Sequence, residues 1–383
     1  MMSYLYVVAV RKPPLKKLSK FSVYVLGLSF LILLAISADV IKAETVHPLI
    51  DTPSAESMIG LGNGHLVAVF RNYDGGNGIY KYDGSDWTKL TDWMPARMMA
   101  YGGSQSGSFL ASFSSSGGSS GVWKYNGASW TKISDWVAED MVSFGTELAV
   151  KFSQYGSDNG IWRYDGTSWK RLTDWAPEEM VYAGGSLIAK FTAYGSESGV
   201  WMYADSSWRK LTDWTPDSMA ALSADVFAAK FSHYGAGNGV WKYSESGWTK
   251  LTDWVAEEMI VPFGTSQIAA KFSQYGSGNG VWIHEGSSWT KTTDWVPDFM
   301  RTTGNGYFIA SFSRYGSGNG LWRYNGSGSS WTKLTDWTPI AATKFLESSN
   351  LFAASFVDYG VQSGLWKHNG SSWSKISDWI PAK

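Results

Sequence analysis

The sequence contains no cysteine. That excludes disulfides, thiolate metal sites, a cysteine nucleophile and a lipid-modified N-terminal cysteine. Charge is scarce and balanced: 17% of residues are charged, with 32 Lys and Arg against 33 Asp and Glu. No basic excess is present to attract nucleic acid, so no nucleic-acid partner is expected. The five histidines (His47, His65, His233, His284 and His368) occupy unrelated positions without metal-ligand spacing. No Gly-Lys-Ser/Thr phosphate loop occurs, and no helical period competes with a strand pattern after residue 44. Carboxylates recur in the repeats described below or as scattered pairs such as Glu178-Glu179, which do not mark a general acid and base. These absences lead to the expectation of a chain that is not an enzyme and holds no cofactor or metal. What the sequence has in abundance is tryptophan, 23 residues, and glycine, 42 residues, in a length of 383.

The first 43 residues differ from the rest. A basic stretch, Arg11 to Lys20, precedes an apolar run from Phe21 to Ile36 and then small residues. This is the order of a secretory signal. The run is short for a spanning helix, which wants about 20 residues. Residues 1–43 are therefore read as a signal peptide or an uncleaved membrane anchor, and the chain as secreted or extracytoplasmic. The remainder carries 26 basic and 32 acidic residues and is mildly acidic.

From residue 51 onward the sequence repeats itself. A unit of about 41 residues begins Asp-Trp-x-Pro and continues through Leu-x-Ala-x-Phe, Tyr-Gly-Ser-Gly-Asn-Gly, Val-Trp-Lys-Tyr and Ser-Trp-x-Lys-Leu-Thr. Its Phe recurs at Phe70, Phe113, Phe152, Phe191, Phe231, Phe272, Phe312 and Phe356, which makes eight copies. Each copy has three tryptophan positions. Tyr80 fills one of the 24, and the other 23 account for every tryptophan.

The third copy shows how the unit reads. One strand surrounds Met141. A second, Leu148–Phe152, alternates Leu148, Val150 and Phe152 on one face with Ala149 and Lys151 on the other. A third spans 160–164 and a fourth 169–174. Asp-Gly or Asn-Gly pairs, such as Asp83-Gly84 and Asn325-Gly326, join the last two strands in tight hairpins. Four strands in about 41 residues, eight times over, predict an all-β protein: a β-propeller of about eight four-stranded blades over 44–383. Seven blades with an irregular extra repeat is the alternative. Both faces of each blade are buried against neighbours, so large flat side chains suit the wedge between them. Ring closure is open, because residues 46–51 resemble a worn fourth strand while the last copy keeps its own.

Spacing separates the two ends of the propeller. The loop tyrosine lies seven residues before the third-strand aromatic, as in Tyr155 to Trp162, and the fourth-strand tryptophan six before the Asp-Trp indole, as in Trp130 to Trp136. Insertions fall in the one–two and three–four hairpins, which share one end of a blade. The opposite end, of constant length, gathers the Tyr-Gly-x-x-Asn-Gly loop and the Asp-Trp linker. The candidate ligand-binding residues there are Tyr155, Asn159, Asp174, Trp175, Tyr194, Asp213, Trp214, Tyr234, Asn238, Asp253, Trp254, Tyr275, Asn279, Trp295, Tyr315 and Asn319. Indole and phenol faces stack on the C–H face of a sugar, and Asp and Asn bond its hydroxyls. A packing reading stays open beside this one: the Asp caps the link between blades, and the Trp belongs to the wedge core. Lys151, Lys190, Lys230 and Lys271, just before the second-strand Phe, read as solvated or tunnel-facing charges.

Leu-x-Ala-x-Phe followed by Gly-Val-Trp-Lys-Tyr-x-Gly-x-Ser-Trp resembles the repeat of bacterial and fungal fucose-binding propeller lectins, and more loosely tectonin and tachylectin repeats. The resemblance implies sugar sites between blades. The Asp-Trp-x-Pro linker and the count of eight depart from that pattern, so it carries no fucose preference. The expected function is a secreted, multivalent, lectin-like protein whose partners are glycans or cell-surface polysaccharide. The alternative is an extracytoplasmic scaffold for a protein partner with no sugar site.

Overall fold

The computed structural model describes residues 57–382, apart from 72–75, 103–106, 115–116, 145, 305 and 346–350. The 1–43 segment and the 46–51 stretch, read above as signal or anchor and as a worn strand, lie outside the described residues. Among the described residues no helix is long and apolar enough to cross a membrane.

The described strands form eight four-stranded antiparallel sheets, each with its strands side by side in chain order. These are the blades of an eight-bladed propeller, at 58–91, 97–134, 140–173, 179–212, 218–252, 258–293, 299–335 and 341–377. The seven-bladed alternative is not what forms. In the third blade the strands are Asp140–Phe144, Glu147–Phe152, Gly160–Tyr164 and Trp169–Thr173, within a residue or so of the bounds read from the sequence.

The alternation of the second strand explains why blades stack. Leu148, Val150 and Phe152 pack with Tyr101, Leu110 and Val122 of blade two. Ala149 faces the other way, with Ile161 of its own blade, into Met180, Leu187 and Phe191 of blade four. Every one of the eight interfaces holds an apolar cluster of this kind, including that between blades eight and one. A fully buried Phe or Leu contributes about 1.5–3 kcal/mol, so repeated burial supplies the cohesion that disulfides would add elsewhere.

The fourth-strand tryptophans form a second, polar belt. Trp169 Nε1 donates to the Ile133 carbonyl of the preceding blade at 2.8 Å, and Trp208 donates to Leu172 at 3.0 Å. Trp87 of blade one donates to Ile376 of blade eight at 2.7 Å, which carries the pattern across the closure. At Trp331 it lapses: its Nε1 is buried without a partner, where the preceding blade has Thr292 in place of the usual Leu or Ile.

Among the described residues no strand is exchanged at the closure. The last linker, Asp378-Trp379-Ile380-Pro381, folds back on blade one. Trp379 meets the Phe70 ring edge-on at 5.4 Å, Pro381 bridges Phe70, and Ala382 N donates to the Val69 carbonyl at 2.8 Å. Elsewhere Glu139 N and Glu178 N make the corresponding bond to the blade they enter, so the closing linker repeats what every linker does.

The Asp-Gly pairs at 83–84 and 165–166 join the third and fourth strands in hairpins, as expected, with loops of four residues. Only the Gly takes positive φ, +110° at Gly84 and +101° at Gly166. The preceding side chain caps the loop: Asp165 Oδ1 accepts from Thr167 N at 2.8 Å and Ser168 N at 2.7 Å. The equivalent bonds from the Asp86 and Ser85 amides hold the exposed Asp83 carboxyl down at about 2.

Candidate functional site: the linker indoles

Each Asp-Trp linker bridges two blades. Its Asp faces the blade it leaves. Asp213 pairs with Lys210 at 2.6 Å, Asp336 with Lys333 at 2.5 Å, and Asp253 with Lys250. The lysine lies over the third-strand tryptophan, Lys210 Nζ at 5.7 Å from Trp201 and Lys250 Nζ at 5.6 Å from Trp241. It also donates to the turn, as Lys250 does to the Ala236 carbonyl at 2.7 Å. The Asp213 side chain is 84% exposed, so such a pair is worth at most about 1 kcal/mol and positions charge without adding much stability. At Asp174 the lysine position is Arg171, which donates to the Asn159 carbonyl.

The Trp packs on the blade it enters. Trp214 stacks on Tyr234 with centroids 4.8 Å apart and planes 12° from parallel, and its ring meets Phe231 and Trp241 near perpendicular. Trp175 with Tyr194, Trp254 with Tyr275 and Trp295 with Tyr315 are stacked likewise. Tyr155 and Asn159 are brought to Trp136, an indole not singled out from the sequence. The linker indoles are half-buried. Among the described residues the Nε1 groups of Trp93, Trp136, Trp175, Trp214, Trp254, Trp295 and Trp337 have no protein partner, and none is sealed from water. By contrast the third-strand indoles are tied to their own turns, as Trp241 Nε1 is to Gly237 O at 2.9 Å.

Tyrosine and asparagine hold this arrangement from below. The Tyr194, Tyr234, Tyr275 and Tyr315 hydroxyls accept from the backbone N–H just after the linker indole, at 2.6–2.7 Å. Oδ1 of Asn159, Asn238, Asn279 and Asn319 accepts from the tyrosine N–H at 2.6 Å, closing the loop into a single 3-10 turn. The asparagine Nδ2 has no protein partner among the described residues. The donors left without a protein partner are therefore the indole Nε1 and the amide Nδ2, beside the exposed carboxylate of Asp174 and the exposed, lysine-paired carboxylates of Asp213 and Asp253. That lysine escaped the sequence reading, although Trp-x-Lys or Trp-x-Arg stands in all eight copies.

Just past the linkers, carboxylates at the start of the first strands meet lysines of the second strands in a belt of charged side chains. Lys151 pairs with Glu139 at 3.4 Å, Lys190 with Glu179 at 3.3 Å and Lys271 with Glu257 at 3.4 Å, so these lysines are half-buried partners and not freely solvated charges. Burial raises the carboxyls of Asp140, Glu179 and Glu258 above their ordinary range, against the lowering pull of Arg97, Lys190 and Arg301 respectively. The folded state thus binds these protons more tightly than the unfolded chain. Their contribution falls as pH rises from about 4 through the raised values. Glu179→Gln keeps an acceptor for Met219 N, now made by Glu179 Oε1 at 3.0 Å. Urea unfolding at pH 5 and pH 7 is expected to show a smaller loss of stability towards pH 7 in the variant than in wild type. An unchanged slope would show that Glu179 does not titrate with folding.

No protein-family profile matches the chain, and no curated protein is similar to it. Solved structures that are similar include a puromycin hydrolase, 10% identical with a TM-score of 0.48, covering 88% of this chain and 54% of that one. An acylaminoacyl peptidase of Pyrococcus horikoshii is 12% identical with a TM-score of 0.43, over 71% of this chain and 50% of that one. The β-propeller domain of the Trilobed protease from Pyrococcus furiosus is 11% identical with a TM-score of 0.46, over 71% of this chain and 94% of that one. This chain spans about half the length of the first two. One expectation is corrected by them. Chains described as hydrolases contain a fold of this kind, so the exclusion of enzyme activity drawn from the sequence is withdrawn. At these identities the likeness concerns the fold and brings no activity to this chain.

Proposed function

We propose that this protein is a multivalent binder that takes glycans at the linker grooves between its blades. The observation that carries the reading is the set of seven linker indoles whose Nε1 groups have no protein partner among the described residues. Each is held by a stacked or packed aromatic frame and accompanied by an exposed carboxylate. A rigid apolar ring beside an unpaired indole N–H and an exposed carboxylate suits a ligand with one C–H face and several hydroxyls. Repetition around a ring converts weak single sites into avidity for a repeating polysaccharide. A secreted or extracytoplasmic location would place the ring where such surfaces occur.

A glycan array tests the reading against a protein scaffold. Wild type is expected to retain sugars, and the W254A/W295A double variant to lose at least tenfold in signal with an unchanged far-UV spectrum. Recovery of a polypeptide partner by pull-down, with no glycan retained, would replace the lectin-like reading with the scaffold one.

A further inference from the structure

The linker grooves are not equivalent, and one residue of the turn divides them. Where the third residue of the 3-10 turn is glycine, at Gly237, Gly278 and Gly318, the indole lies on the backbone. A Cβ added there would come within 2.4–2.5 Å of Cη2 of Trp214, Trp254 or Trp295. In the other described turns that carry the tyrosine, the same position holds Asp158, Glu197 or Gln362, all exposed. The stack follows this difference. Planes lie 12°, 13° and 15° apart for Trp214–Tyr234, Trp254–Tyr275 and Trp295–Tyr315. They open to 20°, 26° and 33° for Trp136–Tyr155, Trp175–Tyr194 and Trp337–Tyr359. A side chain in the turn goes with a more tilted stack, while the ring centroids stay 4.8–5.3 Å apart throughout.

We infer that the three glycine grooves, which enter blades five, six and seven in succession, form a single recognition arc for a neutral polyhydroxylated ligand. This rests on the glycan reading above. Several features agree within the arc and diverge outside it. All three grooves have an indole lying on a glycine, the near-parallel stack and an Asn Nδ2 donor, at Asn238, Asn279 and Asn319. At Trp175 and Trp337 the asparagine is replaced by Ser198 and Ser363, whose Oγ accepts from the tyrosine N–H. At Trp136 and Trp175 the turn also places a second carboxylate, Asp158 or Glu197, in the groove that already has Asp135 or Asp174. Equal neighbouring sites bind one ligand chemistry in register, which is what a polymer with repeated units requires.

The test uses the indole Nε1–H resonances of the full chain, assigned by single Trp→Phe variants. Methyl glycosides of glucose, galactose, mannose and N-acetylglucosamine serve as probes. Trp214, Trp254 and Trp295 are expected to shift together at one affinity, with Trp136, Trp175 and Trp337 at least tenfold weaker. Gly278→Asp, a residue that blade three already accepts at this position, is expected to remove Trp254 from the responding set and leave Trp214 and Trp295. The reverse change, Asp158→Gly, is expected to bring Trp136 into it. Equal affinities at all six indoles, or no effect of either change, would overturn the arc while leaving glycan binding in place. No shift with any glycoside would overturn the glycan reading itself, and the arc with it.

Discussion

Gly280→Ala is expected to destabilise the protein by more than about 4 kcal/mol, the range reserved for strained or clashing backbone sites. Gly280 opens the third strand of blade six at φ +127°, and an added Cβ would lie 1.9 Å from the Thr293 carbonyl oxygen. That carbonyl belongs to the fourth strand, in the irregular pairing beside Val281 and Trp282, so relief requires moving two strands. Gly276→Ala supplies the comparison. It sits four residues earlier at φ +58° with nothing within 4 Å of its Cβ. It should cost about 1–2 kcal/mol, the left-handed penalty alone. Urea midpoints of the two variants measure the difference. Equal costs would show that the strand shifts freely and that close approach does not explain the glycine.

Phe272→Ala carries the second large effect, about 3–5 kcal/mol. Phe272 is 1% exposed and meets the rings of Trp254, Tyr275 and Trp289 at 5.5, 5.8 and 5.9 Å. It supports the linker indole, the loop tyrosine and the fourth-strand indole together. Its loss leaves a cavity beneath all three, so stability and the fluorescence of Trp254 should change together. Phe272→Leu refills part of the volume and should cost roughly half as much. If the alanine variant lost less than about 1 kcal/mol, the aromatic frame would not be what seats the indole.

These two positions show what was legible in the sequence. Eight copies, four strands in each and the strand bounds all follow from the recurrence of Phe, Trp and Gly, because packing and backbone sterics act at fixed spacing. The constant-length end followed from the same arithmetic, and the tyrosine, asparagine and indole named in advance do meet there. Their individual tasks were hidden. Periodicity cannot show that the Tyr234 hydroxyl is taken by Thr215 N, or that Asn238 Oδ1 is taken by Tyr234 N. Both bonds depend on a loop folding back on itself. Nothing in the repeat pattern marks Lys210 and Lys250, because only the linker's path brings Asp213 and Asp253 beside them. The Asp-Gly pairs pointed to a hairpin, but not to Asp165 capping its four-residue loop with a carboxylate. The closure stayed open because residues 46–51 resemble a worn fourth strand while the last copy keeps its own; among the described residues the last linker meets blade one as the other linkers meet theirs.

The central claim is that three tryptophan positions do three different jobs and that only the linker position keeps its N–H for a partner outside the chain. Hydrogen exchange at the indole Nε1 sites, followed by NMR on the ligand-free protein, tests it directly. Third-strand indoles such as Trp241 and fourth-strand indoles such as Trp208 donate to backbone carbonyls at 2.9 and 3.0 Å and are expected to exchange slowly. Trp93, Trp136, Trp175, Trp214, Trp254, Trp295 and Trp337 are expected to exchange fast, as one class. Linker indoles protected as strongly as Trp208 and Trp241 would contradict the account and reduce all three positions to packing.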